Sequence, residues 1–303
     1  TSPVPIAPGD HGTAVAPLVP ELPPLAVARL RFTVRMQQRL DLPAYAGSLL
    51  RSVFGAALRA GACITGQPTC AGCPAAPRCA DTVACDTPAQ PTTLSSQPMS
   101  VPNPYVIEPP PMGSLAVPAG GMLVFHMVLI GETTQHSLPL VMRAWQRALR
   151  SGLGQTRATG ELVSVRDLDV RDPAAAYLFR TDAPPRPTAV PTRLNLAALS
   201  TTMPAARSGT RQVTLEFQTP LRLQREARIL RAEELTPRTL VSHLMRRINL
   251  MLDIHLGAPP APNDIHALLT LADTLRDDRS ALHWHDMRRY SARQQQAVPL
   301  SGL

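Results

Sequence analysis

Between residues 25 and 36, apolar and polar positions alternate. Leu30, Phe32 and Val34 fall on one side, and Arg29, Arg31 and Arg35 on the other. Successive side chains of a strand point to opposite faces, so this pattern predicts a half-buried strand with an arginine face. The period then lengthens. Leu49, Leu50, Val53, Phe54, Ala57 and Leu58 recur at helical spacing after Pro43, a residue suited to a first helical turn, and Gly61 marks the end. Residues 105–108 read as a short strand that Pro109, Pro110 and Pro111 stop. Residues 122–130 are β-rich and apolar at both parities, which predicts a central strand with His126 as a core histidine. Residues 138–150 return to helical spacing. Leu140, Val141, Trp145, Ala148 and Leu149 point inward, and Arg143, Arg147 and Arg150 outward. A further strand follows at 162–168. The order β-α-loop-β-β-α-β is the split βαβ, or ferredoxin-like, arrangement.

After the proline-rich stretch 183–193, the pattern starts again. Residues 211–217 alternate as a strand. Thr236 caps a long helix that Pro237 opens and that runs to about residue 256. Asn263 caps another helix, whose stripe is Ile265, Leu268, Leu269, Ala272 and Leu275, and residues 282–290 read as a strand. The predicted fold is α+β, with tandem ferredoxin-like (RRM-like) domains, the second short of a complete unit. The expected layout is a proline-rich tail at 1–24, a first domain at 25–182 with an insertion at 61–86, a linker at 183–193 and a second domain at 194–303.

The insertion carries the most distinctive chemistry. Cys63, Cys70, Cys73 and Cys79 follow the pattern C-x6-C-x2-C-x5-C. Thiolates at this spacing can fold a short loop around a soft metal. Four sulfurs would hold a structural zinc with a closed shell, and an iron–sulfur cluster is the alternative. Cys85 is either a spare thiol or a substitute ligand. The longest apolar run, 122–130, is far short of the ~20 residues a spanning helix needs. The N-terminal stretch has no export pattern. These readings place the chain in the cytoplasm, where metal binding is expected over disulfides.

Charge adds a partner. The chain has 30 basic and 22 acidic side chains, a net +8, and every basic one is arginine. Such a balance suits a polyanion. Replacement of lysine codons in a GC-rich genome and a use of arginine's planar fork on phosphates both fit the absence of lysine. Two arginine groups stand out in the second module. One is Arg222, Arg225, Arg228, Arg231, Arg246 and Arg247; the other is Arg288, Arg289 and Arg293. Gly152, Gly154 and Gly160, with Arg157 at the tip, form a loop after a helix and before a strand. Backbone N–H groups there could approach a phosphate. Aromatic residues are 4% of the chain, so shape and phosphate contacts are expected to outweigh base stacking.

Several of these pieces are shared with a known family. They are LPAYAGSLLRSVFGAAL (42–58), the cysteine cluster, PNPYVIEPP (102–110), LIG (129–131), the glycine loop, TPLRL (219–223), LMRRI (244–248) and WHDMRRYSARQ (284–294). In order and spacing they resemble the CRISPR precursor-RNA processing endoribonucleases of the RAMP superfamily. The resemblance implies tandem ferredoxin-like domains and a repeat RNA held by Gly152, Gly154, Arg157, Gly160, Arg143, Arg147, Arg150 and the second-module arginines. It further implies effector subunits as partners and metal-independent cleavage by attack of an RNA 2′-OH. That chemistry needs an acid, a base and a cation. His136, in TTQHS before the second helix, is the expected acid–base, with Tyr45 and Arg51 in the first-helix region. Two departures stand out. Residues 42–60 contain no histidine, although family members often carry a catalytic one there, and a closing glycine-rich loop is missing. The alternative is therefore a non-catalytic RNA-binding subunit of an effector complex.

Overall fold

The computed structural model describes residues 26–67, 70, 72–75, 79, 90–92, 95–99, 101–169, 176–184, 191, 212–225, 228–256, 265–291, 296–299 and 301–303. Strand β1 (Val27–Met36) and strand β2 (Leu40–Leu42) precede helix α1 (Gly47–Ala62). Strands β3 (Gln90–Thr92), β4 (Ser95–Met99), β5 (Tyr105–Glu108), β6 (Leu115–Val117) and β7 (Met122–Ile130) follow. Helices α2 (Glu132–His136) and α3 (Leu138–Ser151) lead into β8 (Gly160–Asp167) and β9 (Tyr177–Arg180). Later come the short strands β10 (Gln224–Arg225) and β11 (Arg228–Ile229), then helix α4 (Pro237–Met251), a π-helical turn (Leu252–Leu256), helix α5 (Ile265–Asp273), and strands β12 (Arg288–Ser291) and β13 (Gln296–Pro299).

Five strands form one antiparallel sheet in the order β5-β7-β1-β8-β9. Among the described residues the fold is thus α+β around a mixed-order antiparallel sheet. Helices α1 and α3 pack against each other and, with the sheet, enclose the core. The alternation in β1 is realised: Leu30, Phe32 and Val34 are fully buried, and Arg29, Arg31 and Arg35 are exposed. Trp145 of α3 is the keystone. Its ring lies 4.4 Å from Phe125 and 5.0 Å from Phe54, and its indole N–H donates to Met127 Sδ at 2.9 Å. Its buried donor therefore has a partner, as a fully enclosed indole requires.

Five expectations change here. Helix α1 begins at Gly47, not at Pro43. The Tyr45 ring lies across Gly47, where an added Cβ would sit 2.5 Å from the phenolic oxygen. Strand β7 is interior to the sheet but covered on one side only. Its second face, including His126, is half-exposed, so His126 is not a core histidine. Residues 212–217 form no strand: Val213 and Leu215 are exposed, and no neighbouring strand completes their ladder. Leu275 lies beyond α5 and is exposed, whereas Ala272 is buried. The 282–290 strand shrinks to β12, with His285 bridging separately to Gly302. The long helix starts as expected: the Thr236 hydroxyl accepts from the Thr239 N–H at 3.2 Å, and Pro237 is first-turn. Asn263, Cys85, Arg293 and most of the 183–193 linker lie outside the described residues.

The two halves of the chain meet beside Gly131 and His255. Gly131 has φ 92, and a Cβ there would lie 2.4 Å from the His255 carbonyl oxygen. The His255 ring Nε2 is 2.7 Å from the Pro102 carbonyl. A carbonyl only accepts, so this nitrogen carries the proton. Burial pushes the imidazole pKa below its ordinary value, and the bond to Pro102 opposes that shift.

Candidate nucleic-acid interface

Helices cover one face of the sheet. On the other, strand pairing aligns five residues in a single row: Glu108, His126, Arg31, Arg166 and Tyr177. Each belongs to a different strand and stands opposite the next. Like charges directly opposite one another on a sheet are unfavourable. Arg31 has an imidazole on one side and a guanidinium on the other. Among the described residues neither Arg31 nor Arg166 has an ion-pair partner. Glu108 is committed elsewhere: it accepts from Arg29, with Nη2 at 2.8 Å. The Arg166 guanidinium lies 5.9 Å from the Tyr177 ring centre and that of Arg180 4.9 Å, both within cation–π range. His126 is held below its ordinary pKa, first by burial, then by Arg29 and Arg31, with Glu108 opposing. The face therefore carries two guanidiniums, exposed Arg31 and half-buried Arg166, beside a half-buried imidazole, with one aromatic ring at its edge.

The glycine loop takes a defined shape. Leu153 and Ala158 exchange backbone hydrogen bonds at 2.8 and 2.9 Å, so their N–H groups close the loop and cannot cradle a ligand. Gly152 has φ 90, and a Cβ there would meet the Arg157 carbonyl oxygen at 2.1 Å. Gly154 has φ 70, and Arg157 itself adopts φ 51 at the exposed tip. Gly160 has no such backbone. Its lack of a side chain instead admits Val34 and Met36 at 3.0 and 3.1 Å from where a Cβ would stand. The loop thus presents an arginine at its exposed tip. Arg143, Arg147 and Arg150 are exposed along α3.

In the cysteine loop, the Thr65 hydroxyl lies 3.8 Å from the Cys63 sulfur and 3.4 Å from that of Cys73. Arg59 donates to Cys70 Sγ at 3.4 Å. The Cys63 thiol is pushed below its ordinary pKa, first by the Thr65 hydroxyl, then by backbone N–H groups of Thr65 and Gly66, with Arg59 adding charge. Gly66 and Gly72 have φ 66 and 73, the left-handed conformation that turns the chain beside each cysteine. Among the described residues, no three His, Cys, Asp or Glu side chains come together closely enough to hold a metal ion.

The expected catalytic residues are spread out. His136 is exposed at the end of α2. Tyr45 covers Gly47, and Arg51 lies 5.7 Å from the Tyr105 ring centre. No hydrogen bond, ion pair or ring contact joins the three among the described residues. Several second-half arginines are engaged within the protein. Arg228 forms a two-pronged pair with Glu234 that holds the carboxyl at about 2. Arg231 lies 4.0 Å over the Trp284 ring. Arg247 is pushed below its ordinary pKa by burial and by Arg51. Arg225 and Arg246 instead line a cleft with His243. The sequence placed the arginines of this region but not that grouping, which needs strand β10 and α4 side by side. The sheet row was likewise missed at His126, Arg166 and Tyr177. The alternation of β1 was its one visible signal.

The AF_1859_N family, described as an N-terminal domain, matches residues 22–188, and the chain belongs to that family. The match spans the five-stranded sheet, the cysteine loop and the glycine loop. No curated protein matches the sequence. No helix among the described residues is long and apolar enough to cross a membrane.

Proposed function

We propose that this chain binds CRISPR repeat RNA, cleaves the precursor by metal-independent 2′-OH attack, and keeps the product for effector assembly. The observation that carries the reading is the row Glu108–His126–Arg31–Arg166–Tyr177 on the uncovered sheet face. A protein gains nothing in stability from facing Arg31 with Arg166. A polyanion laid across them relieves the repulsion and releases counterions. Arg35 and the Arg157 tip are exposed as well. The strand order β5-β7-β1-β8 with α1 and α3 on one face supports reading the first half as ferredoxin-like. The second half is read as a reduced counterpart.

Zinc is the proposed resident metal of Cys63, Cys70, Cys73 and Cys79, with an iron–sulfur cluster as the alternative. The donor set fits a soft metal: the Thr65 hydroxyl and backbone N–H groups hold the Cys63 thiol below its ordinary pKa, and left-handed glycines turn the loop. Bound there, zinc would fix the loop beside α1 and take no part in cleavage.

One observation favours a second reading, a non-catalytic RNA-holding subunit: His136, Tyr45 and Arg51 share no contact. A labelled repeat hairpin, incubated with the protein in EDTA beside its 2′-deoxy counterpart, separates the two. Cleavage of the ribose substrate alone supports the nuclease. Tight binding without cleavage supports the subunit.

A further inference from the structure

Arg225 ends strand β10, and its guanidinium donates to the buried Thr239 hydroxyl of α4 at 3.4 Å. That contact ties strand β10 to the helix. Between them lies a cleft of about 350 Å³ lined by Gln224, Arg225, Ser242, His243 and Arg246. Among the described residues no carboxylate lines it. Each wall residue can donate a hydrogen bond, and two of the five are permanently charged. Among the described residues Glu234 acts on Arg225 through space, but its two oxygens accept from Arg228 and one of them also from the Arg231 N–H. A concave site with two guanidiniums, an imidazole, a hydroxyl and an amide matches the oxygens and charge of one phosphate group.

We infer that the Arg225–His243–Arg246 cleft is a binding site for a phosphate monoester. The site stands on the cleft alone. The further identification of its natural ligand as the 3′-terminal phosphate of an RNA rests on the RNA-binding reading. A monoester suits the walls better than a diester, because its second negative charge has a second guanidinium to face. His243 sits between Arg225 and Arg246, and burial, then each of these charges, holds it below its ordinary pKa. A bound dianion reverses that field and draws a proton onto the ring. Binding therefore strengthens as pH falls from 8 toward ~6, until the phosphate itself takes up a proton.

The test follows the His243 ring by NMR in the full chain at low salt. The probes are inorganic phosphate, adenosine 3′-monophosphate and adenosine. The expected result is a rise in the His243 pKa with both phosphates and none with adenosine. R225Q and R246Q should each weaken phosphate binding at least tenfold, while the His126 and His255 signals stay at their wild-type positions and report an intact fold. A His243 signal unmoved by phosphate, or binding by R225Q and R246Q as strong as that of the parent, overturns the site. Two short RNAs of one sequence, ending in 3′-phosphate or 3′-hydroxyl, then test its source. Preference for the phosphorylated end supports an RNA end in the cleft, and equal response to both overturns monoester selection. If free phosphates move His243 and neither RNA binds anywhere on the chain, the cleft stands and the RNA reading fails.

Discussion

Arg31 of β1 stands directly opposite His126 of β7 on the uncovered face of the sheet, while the residues flanking Arg31 in the chain, Leu30 and Phe32, are fully buried. The same alternation that builds the core therefore builds the charged strip. Replacing Arg31 separates the two roles. R31Q should leave the unfolding free energy unchanged or raise it by about 0.5 kcal/mol, since a like-charge pair is removed. It should also raise the His126 pKa and lower the salt slope of RNA binding by about one. Chemical denaturation, His126 NMR and binding across a salt series check the three parts. A large loss of stability would show that Arg31 serves the fold.

Gly152 and Gly154 should respond differently to alanine. Gly152→Ala brings a Cβ against the Arg157 carbonyl oxygen at φ 90, so backbone must move. Gly154→Ala carries only the conformational cost of φ 70, with Leu40 at an ordinary 3.5 Å. Such backbone strain costs on the order of 1–3 kcal/mol, and the collision should make Gly152→Ala the worse by at least ~1 kcal/mol. Thermal unfolding of the two variants measures the gap.

Trp145→Ala should cost about 3–5 kcal/mol, because the ring fills the space between Phe54 and Phe125 and leaves a cavity when removed. Urea unfolding should show an earlier midpoint with an unchanged slope. An unaltered midpoint would remove Trp145 from the centre of the core.

Stability should fall on acidification below pH ~6.5. His126, His243 and His255 all have pKa values depressed in the folded protein. Above the unfolded-state pKa, both states are neutral and no penalty exists. As pH falls through ~6.5 toward the lower folded values, the unfolded chain binds more protons, so folding weakens. H255Q retains a donor for the Pro102 carbonyl and removes one titration, so its stability should drop less between pH 7 and 5 than that of the parent.

Metal content bears on the cysteine loop. The purified chain should contain about one zinc, and Cys63→Ser should lose it, with a lower melting temperature. Iron with visible absorption would point to the cluster alternative. An absence of both metals in the parent would remove the metal proposal.

Periodicity carried much of the first half into view. The strands at 105–108 and 122–130 and the helix at 138–150 needed only local alternation and spacing. Local patterns cannot say which strands are neighbours, so the alignment of His126, Arg31 and Arg166 stayed hidden, and His126 was read as core because an apolar run looks the same whether one face or two are covered. Residues 212–217 show the opposite failure. Val213 and Leu215 alternate correctly, yet a strand needs a partner that sequence period does not supply. At Tyr45, Arg51 and His136 only a family resemblance suggested roles, and side-chain contact does not yet bring them together.

The most direct test of RNA recognition by the sheet is the salt dependence of repeat-hairpin binding by the parent and by an Arg31→Gln, Arg166→Gln double variant. The expected result is tight binding by the parent, a steep loss with salt, and a shallower slope with at least tenfold weaker low-salt binding in the variant. Equal affinity and slope in the two proteins would contradict it.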